Sequence, residues 1–268
     1  MFSYAFKKYI RGFHNFLPFI VISLIIELVT LKIFSLQSAG NELINAIQLG
    51  KDIDWNMAVS DPKFKGLAVT FFSIIAVSLL ISPILSNYIN LIIKEILDKK
   101  EVRHIETLKE SFRFYFPSIG VTLTIGLMLL GLLVVSVLVV VLIPFLGIIA
   151  AIAGFIFFIY LAIVYSTSVP YLLYYNSTIS EALHYGKEVG RKYFWRIFGF
   201  LLLINIGSQI INLPDTTQIL AFIIVTLLTI SLNILSKTYF LTLCKGYKHP
   251  EIEYDHTYDN EDKDDDNF

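Results

Sequence analysis

One cysteine, Cys244, occurs in 268 residues, so the chain can build neither an internal disulfide nor a thiolate metal cluster. Charge is scarce as well. Asp, Glu, Lys and Arg make up 16% of the chain against 56% hydrophobic residues, and mean hydropathy is +0.69. That balance excludes an ordinary soluble domain. Catalytic signatures are also missing: there is no HExxH, no GxxxxGK[ST], no GxSxG and no CxxC. The histidines, at 14, 104, 184, 249 and 256, are scattered, and paired acids occur only near the C-terminus. No enzyme activity, cofactor or metal is therefore expected. An enzyme acting on lipid through dispersed residues is the distant catalytic alternative.

The absence of charge is concentrated where it matters most. No ionisable acid or base of these four types occurs from Gly66 to Ile93, or from Phe114 to Ser180. A membrane span needs about 20 apolar residues, so the first run holds one span and the second holds two. Six spans are expected, at about 15–36, 67–93, 118–143, 145–170, 197–213 and 217–243. All should be helices, which satisfy their own backbone in lipid, and nothing alternates over ~10-residue segments as a membrane barrel does. Pro144 marks a hairpin between spans three and four, and Pro214-Asp215 a turn between the last two. Lys7, Lys8 and Arg11 precede an apolar run as in a signal peptide. Glu27 and Lys32 interrupt that run and no small-x-small cleavage site follows, so a retained first span is expected.

What charge remains is arranged. Lys and Arg collect before the first span, at 94–116, at 171–196 and at Lys237, Lys245 and Lys248. In a six-span arrangement all four groups share one side. The other side has Lys51, Lys63 and Lys65 in a 37–66 loop that also carries Glu42, Asp52, Asp54 and Asp61. The positive-inside rule then puts both termini in the cytoplasm of a multi-pass cell-membrane protein. From His249 onward nine acidic residues accompany one Lys, so residues 249–268 read as an acidic, disordered cytoplasmic tail after a 1–248 membrane domain.

The basic groups repeat. Lys7-x-x-x-Arg11-x-Phe13, Lys109-x-x-x-Arg113-x-Tyr115 and Lys187-x-x-x-Arg191-x-Tyr193 each run straight into a span. The fold class is therefore all-α and polytopic, with three repeats of an amphipathic helix plus a helical hairpin. In the third amphipathic helix Ile179, Ala182, Leu183, Gly186, Val189, Gly190, Tyr193 and Phe194 form a stripe. In the second, Ile105, Leu108, Phe112, Tyr115 and Phe116 do so. Thr107-x-x-Glu110 and Thr178-x-x-Glu181 read as capping boxes that start these helices. Such helices suit a membrane interface, where anionic headgroups attract cations. The candidate contacts for lipid or a partner are Lys7, Arg11, Lys109, Arg113, Lys187, Arg191, Lys192 and Arg196. The plainer reading is that the helices only cover the inner surface of the bundle.

Polar residues inside spans form a second candidate set. Glu27 lies near the middle of the first span, where a carboxylate is costly and faces a cavity or partner. Lys32 is about 140° round the helix and does not pair with it ideally. Asn87 and Asn90 share a face of span two, and Asn205, Gln209 and Asn212 form a stripe on span five. Such residues bind helix to helix or line a transport path. Gly147-x-x-x-Ala151 and Ala150-x-x-x-Gly154 give span four a small-residue face. The sequon Asn176-Ser177-Thr178 falls on the cytoplasmic side and should stay unmodified.

Residues 177–207 resemble an uncharacterised family of six-helix prokaryotic integral membrane proteins. That family is related to the membrane domain found ahead of some glycerophosphodiester phosphodiesterases. Ser180-Glu181-Ala182-Leu183, Arg191-Lys192-Tyr193-Phe194-Trp195-Arg196 and the apolar stretch after them carry the resemblance, with Thr238-Tyr239-Phe240 to Tyr247 near the end. It implies an integral membrane module; no catalytic residue carries over, and no phosphodiesterase domain is expected after span six. Two functions stay open. One is a non-catalytic module contacting inner-leaflet anionic lipid, a protein partner or a second copy, with no role for nucleic acid. The other is a small-solute transporter or channel using Glu27 and the polar residues of spans two and five.

Overall fold

The computed structural model describes residues 1–34, 62–142, 144–211 and 219–247. Most of the expected 37–66 loop, Ile143 at the hairpin apex, Asn212, the Pro214-Asp215 turn and the 249–268 tail lie outside the described residues. Within them the chain is all helical. In order come α1 (Phe2–Arg11), a 3₁₀ turn (Phe13–Phe16), α2 (Leu17–Phe34), α3 (Pro62–Leu97), α4 (His104–Arg113) and α5 (Tyr115–Leu142). Then follow α6 (Pro144–Tyr165), α7 (Ser168–Tyr175), α8 (Ile179–Lys192), α9 (Phe194–Ile211) and α10 (Ile219–Lys245).

Four stretches among the described residues are long and apolar enough to cross a membrane: Leu79–Leu97, Tyr115–Val141, Ala151–Tyr175 and Phe222–Lys245. Phe2–Arg11 and Phe13–Leu28, bent by 72° at Gly12, make a fifth if taken as one span. The apolar part of α9, Phe194–Gly207, is shorter than a span by itself. The chain is thus a helical protein with several membrane-competent helices.

Packing centres on α10. Ile230, Ile234 and Leu241 on one side of it join Phe16, Ile20, Ile89, Ile92 and Leu97 in one buried cluster. Tyr239, Leu243 and Cys244 on another side join Leu172, Val189 and Ile197 in a second. By contrast the far half of the α5–α6 hairpin leaves Leu127, Leu130, Val141, Ile149 and Phe155 exposed, a surface suited to lipid. The small-residue face of α6 does pack. A Cβ on Gly154 would sit 2.5 Å from Ser136 Oγ on α5, and one on Gly147 3.4 Å from Val140.

The two expected capping boxes fare differently. Thr178 caps α8 as expected: Glu181 N–H donates to Thr178 Oγ1 (3.4 Å) and Thr178 N–H to Glu181 Oε2 (2.8 Å). Thr178→Ala should therefore lower stability by about 1 kcal/mol, read as a lower melting temperature in detergent. Thr107 caps nothing. Helix α4 begins at His104 with Arg103 as its N-cap, and Thr107 is buried inside it. Its hydroxyl contacts the Arg103 carbonyl (2.8 Å) and both oxygens of the Glu95 carboxylate (3.2 Å each). Half-buried Glu95 on α3 needs a donor, and that tertiary demand takes the threonine out of its local role.

Two lysines of the helices find distant partners. Lys94, expected in a connection, lies in α3 with Nζ 3.1 Å from the Leu173 carbonyl and 3.4 Å from Asn176 Oδ1. Lys237, counted with the C-terminal basic group and within the expected sixth span, lies in α10 and donates to Ser86 Oγ at 2.6 Å.

Candidate functional site

The three amphipathic helices gather at one end of the bundle, where α3 and α10 finish. For α1, the Phe2 ring packs 6.0 Å from Phe200 and 6.2 Å from Tyr239, and Met1 Sδ lies 3.6 Å from Arg196 Nη1. Helix α4 is held by the Thr107–Glu95 contact and by Asn87 Nδ2, which donates to the Ser111 carbonyl at 3.4 Å. On α8, Thr167 Oγ1 donates to the Gly186 carbonyl at 2.6 Å, and Tyr247 OH, just past α10, donates to Glu188. Burial, and after it that carboxylate, pushes the Tyr247 hydroxyl up to about 12.

Each of these helices ends in a similar break. The residue after the last turn sits near the bridge region of the backbone map: Gly12 at φ −87°, ψ 1°, Phe114 at −84°, 0° and Tyr193 at −109°, 18°. At each one the N–H reaches back four residues to a carbonyl, of Lys8, Glu110 and Val189. The chain then turns into an apolar helix.

Of the eight basic candidates, seven are exposed and Lys187 is half-buried. Arg113 lies 6.0 Å from the Phe114 ring, Arg196 5.7 Å from the Tyr193 ring, and Lys192 between Tyr193 (5.6 Å) and Tyr247 (5.4 Å). Among the described residues none of the eight joins an ion pair. The pairs that do form use other cations: Arg103–Glu106, His184–Glu188 and Lys245–Asp98.

The apolar stripes, similar in sequence, point in opposite directions. On α8, Ala182, Gly186, Val189 and Gly190 are buried against α6 and α7. On α4 the stripe faces outward: Ile105 is 74% exposed, Leu108 41% and Phe112 56%, and Phe116, at the start of α5, is 79% exposed. The small polar side of α4 faces the bundle instead, with Thr107 and Ser111 buried. Here α8 covers the bundle, and α4 offers an apolar face with Lys109 and Arg113 beside it.

The intramembrane polar candidates do not assemble into one site. Asn87 and Asn90 are buried together on α3; Asn87 Nδ2 also donates to Ser118 Oγ at 3.0 Å, while Asn90 Oδ1 has no partner among the described residues. Glu27 is exposed on α2, and Asn205 and Gln209 are exposed on α9, Asn205 donating to the Leu201 carbonyl at 3.1 Å. None of the five lines the polar cavity of about 210 Å³ beside the end of α3.

That cavity is what sequence reasoning missed. Its polar lining is Lys94, Glu95, Asp98, Lys100, Glu110 and Asn176. Asn176 closes α7 in the left-handed conformation (φ 51°, ψ 36°), which asparagine tolerates better than most residues. That turn aims its side chain at Lys94. Asp98 accepts from Tyr174 OH (2.8 Å) and pairs with Lys245 (3.5 Å). The only signal in the sequence is the dense charge of Lys94 to Glu101, which reads as a solvated connection. Compared with protein-family models, curated proteins and solved structures, the chain finds no match.

Proposed function

We propose that this chain is a non-catalytic module of the cell membrane, with six spans in three repeats and both termini in the cytoplasm. Its amphipathic helices hold it against anionic lipid of the inner leaflet. The observation that carries this reading is α4, an exposed apolar stripe (Ile105, Leu108, Phe112) on the helix that bears exposed Lys109 and Arg113. A helix of this kind lies in the interface plane, apolar side toward acyl chains and cations toward phosphates. The common end of α1, α4 and α8, and the similar breaks after them, support the repeats and the shared face. A transport path through Glu27 lacks comparable support, because Glu27, Asn205 and Gln209 are exposed while Asn87 and Asn90 are buried.

The test is purification from native membrane in mild detergent with quantification of everything retained. Anionic phospholipid enriched over its share of the bulk membrane is the expected result. Retained lipid matching the bulk composition would overturn the reading, and a stoichiometric protein in its place would transfer the basic surface to a protein partner.

A further inference from the structure

We propose that the cavity at the end of α3 binds a zwitterionic aminophosphate group, the chemistry of an ethanolamine phospholipid headgroup. This goes beyond the basic surface described above, since none of the eight candidate cations lines the cavity. Lys94 on α3 points its ammonium into this space from a fixed position. Its two hydrogen-bond acceptors, the Leu173 carbonyl and Asn176 Oδ1, are neutral, and it has no carboxylate within ion-pair distance among the described residues. An ammonium has three donors, so one N–H is left for a ligand. Lys100, exposed, adds a second positive charge at the rim.

On the α4 side stands Glu110, half-buried, whose carboxylate has no hydrogen bond or ion pair among the described residues. Glu95 and Asp98 are already engaged, by Thr107 and by Tyr174 with Lys245. The cavity therefore keeps a cation on one wall and a carboxylate on another that attract each other across it without a direct ion pair.

That arrangement selects by charge. A purely anionic ligand meets three carboxylates, and a purely cationic one meets two lysines. Among the described residues no three acids are placed to hold a metal ion. A ligand carrying both signs satisfies both walls, with its phosphate on Lys94 and Lys100 and its ammonium on Glu110. Phosphate is favoured as the anion because the cavity lies at the end of α3, the end of the bundle where α1, α4 and α8 gather with their exposed cations; on the reading proposed above that end stands at the level of lipid headgroups.

Binding is measured on the full chain in detergent by native mass spectrometry. The probes are dihexanoyl phosphatidylethanolamine, the matching phosphatidylcholine and phosphatidylglycerol, and free phosphoethanolamine. The ethanolamine lipid should bind about ten-fold more tightly than the choline lipid, whose ammonium has no N–H to give Glu110. Glu110→Gln should remove most of that preference and, with one carboxylate fewer in the cavity, strengthen phosphatidylglycerol binding. Lys100→Ala, at an exposed position, should weaken the ethanolamine lipid several-fold. Binding of free phosphoethanolamine as strong as that of the lipid assigns the site to a soluble zwitterion; binding of the lipid alone assigns it to a headgroup. Equal binding of ethanolamine and choline lipids to the wild type, or an unchanged preference in Glu110→Gln, overturns the proposal. Charge reversal at Lys109 and Arg113 should spare the ethanolamine preference, so failure at one site is read separately from failure at the other.

Discussion

Reversing Lys109, Arg113, Lys187 and Arg191 to Glu is expected to abolish most of the preference for anionic over zwitterionic lipid. Each basic side chain near an anionic leaflet contributes about 1 kcal/mol. Screening over a Debye length of about 10 Å at 0.1 M salt removes part of the sum. A residual difference of about 2 kcal/mol corresponds to a roughly thirty-fold fall in relative affinity. The fold should survive, because none of the four joins an ion pair among the described residues and three of them are exposed. Arg113 does give up its place beside the Phe114 ring, 6.0 Å away, which contributes about 0.5 kcal/mol at an exposed site.

Trp195 is a suitable reporter. It is 77% exposed, between Phe194 and Arg196 at the start of α9, and Trp55→Phe leaves it the sole indole of the chain. In vesicles, brominated phosphatidylglycerol should quench Trp195 more strongly than brominated phosphatidylcholine. The difference should shrink in the four-fold variant and, in the wild type, at 0.5 M salt (Debye length ~4 Å). The same quenching pattern in wild type and variant would sink the lipid-docking reading.

Gly190→Ala is expected to be among the most damaging single substitutions in the chain. A Cβ there would lie 1.9 Å from the Val164 carbonyl oxygen, 2.7 Å from its carbon and 2.8 Å from its Cα. One turn earlier, a Cβ on Gly186 would lie 2.5 Å from Ser168 Cα. These two glycines let the backbone of α8 seat directly on the α6–α7 junction, in the manner of small-residue crossings within membranes. The obstruction is main chain, so no rotamer change relieves it and the helices must separate. The Thr167–Gly186 hydrogen bond would stretch with them. A loss of about 3 kcal/mol, at the upper end for overpacking, should appear as a melting temperature many degrees lower in detergent. Gly199→Ala is the control. Nothing lies within 4 Å of a Cβ there, and alanine is the better helix former by about 1 kcal/mol. An unchanged melting temperature for Gly190→Ala would mean that α8 does not seat at this distance.

The contrast between Gly190 and Gly199 is invisible in a single sequence, and so is the contrast between the two amphipathic helices. Ile105, Leu108 and Phe112 recur three and four residues apart, as Ala182, Gly186 and Val189 do. Periodicity states that an apolar stripe exists. It does not state whether lipid or protein faces it. Residue size offered the one available hint, since Leu108 and Phe112 on α4 cannot allow the close approach that glycines on α8 permit.

By itself the sequence determined the properties that depend on local chemistry and on the solvent. Helices follow from long uncharged runs, because backbone groups in an apolar medium must pair within their own segment. The Thr178–Glu181 cap follows from residues three apart, and the end of each basic helix from the change of composition that follows it. Tertiary structure alone decided which polar groups meet. Lys94 finds its acceptors 79 and 82 residues away, Lys237 finds Ser86 151 residues away, and Thr107 leaves its expected cap for Glu95. A buried charge or carboxylate must find a partner wherever packing supplies one. That requirement, set by the crossing of α3 with α4, α7 and α10, fixed the partners of Lys94 and Lys237, left Glu27 exposed, and placed the cavity between Lys94 and Glu110.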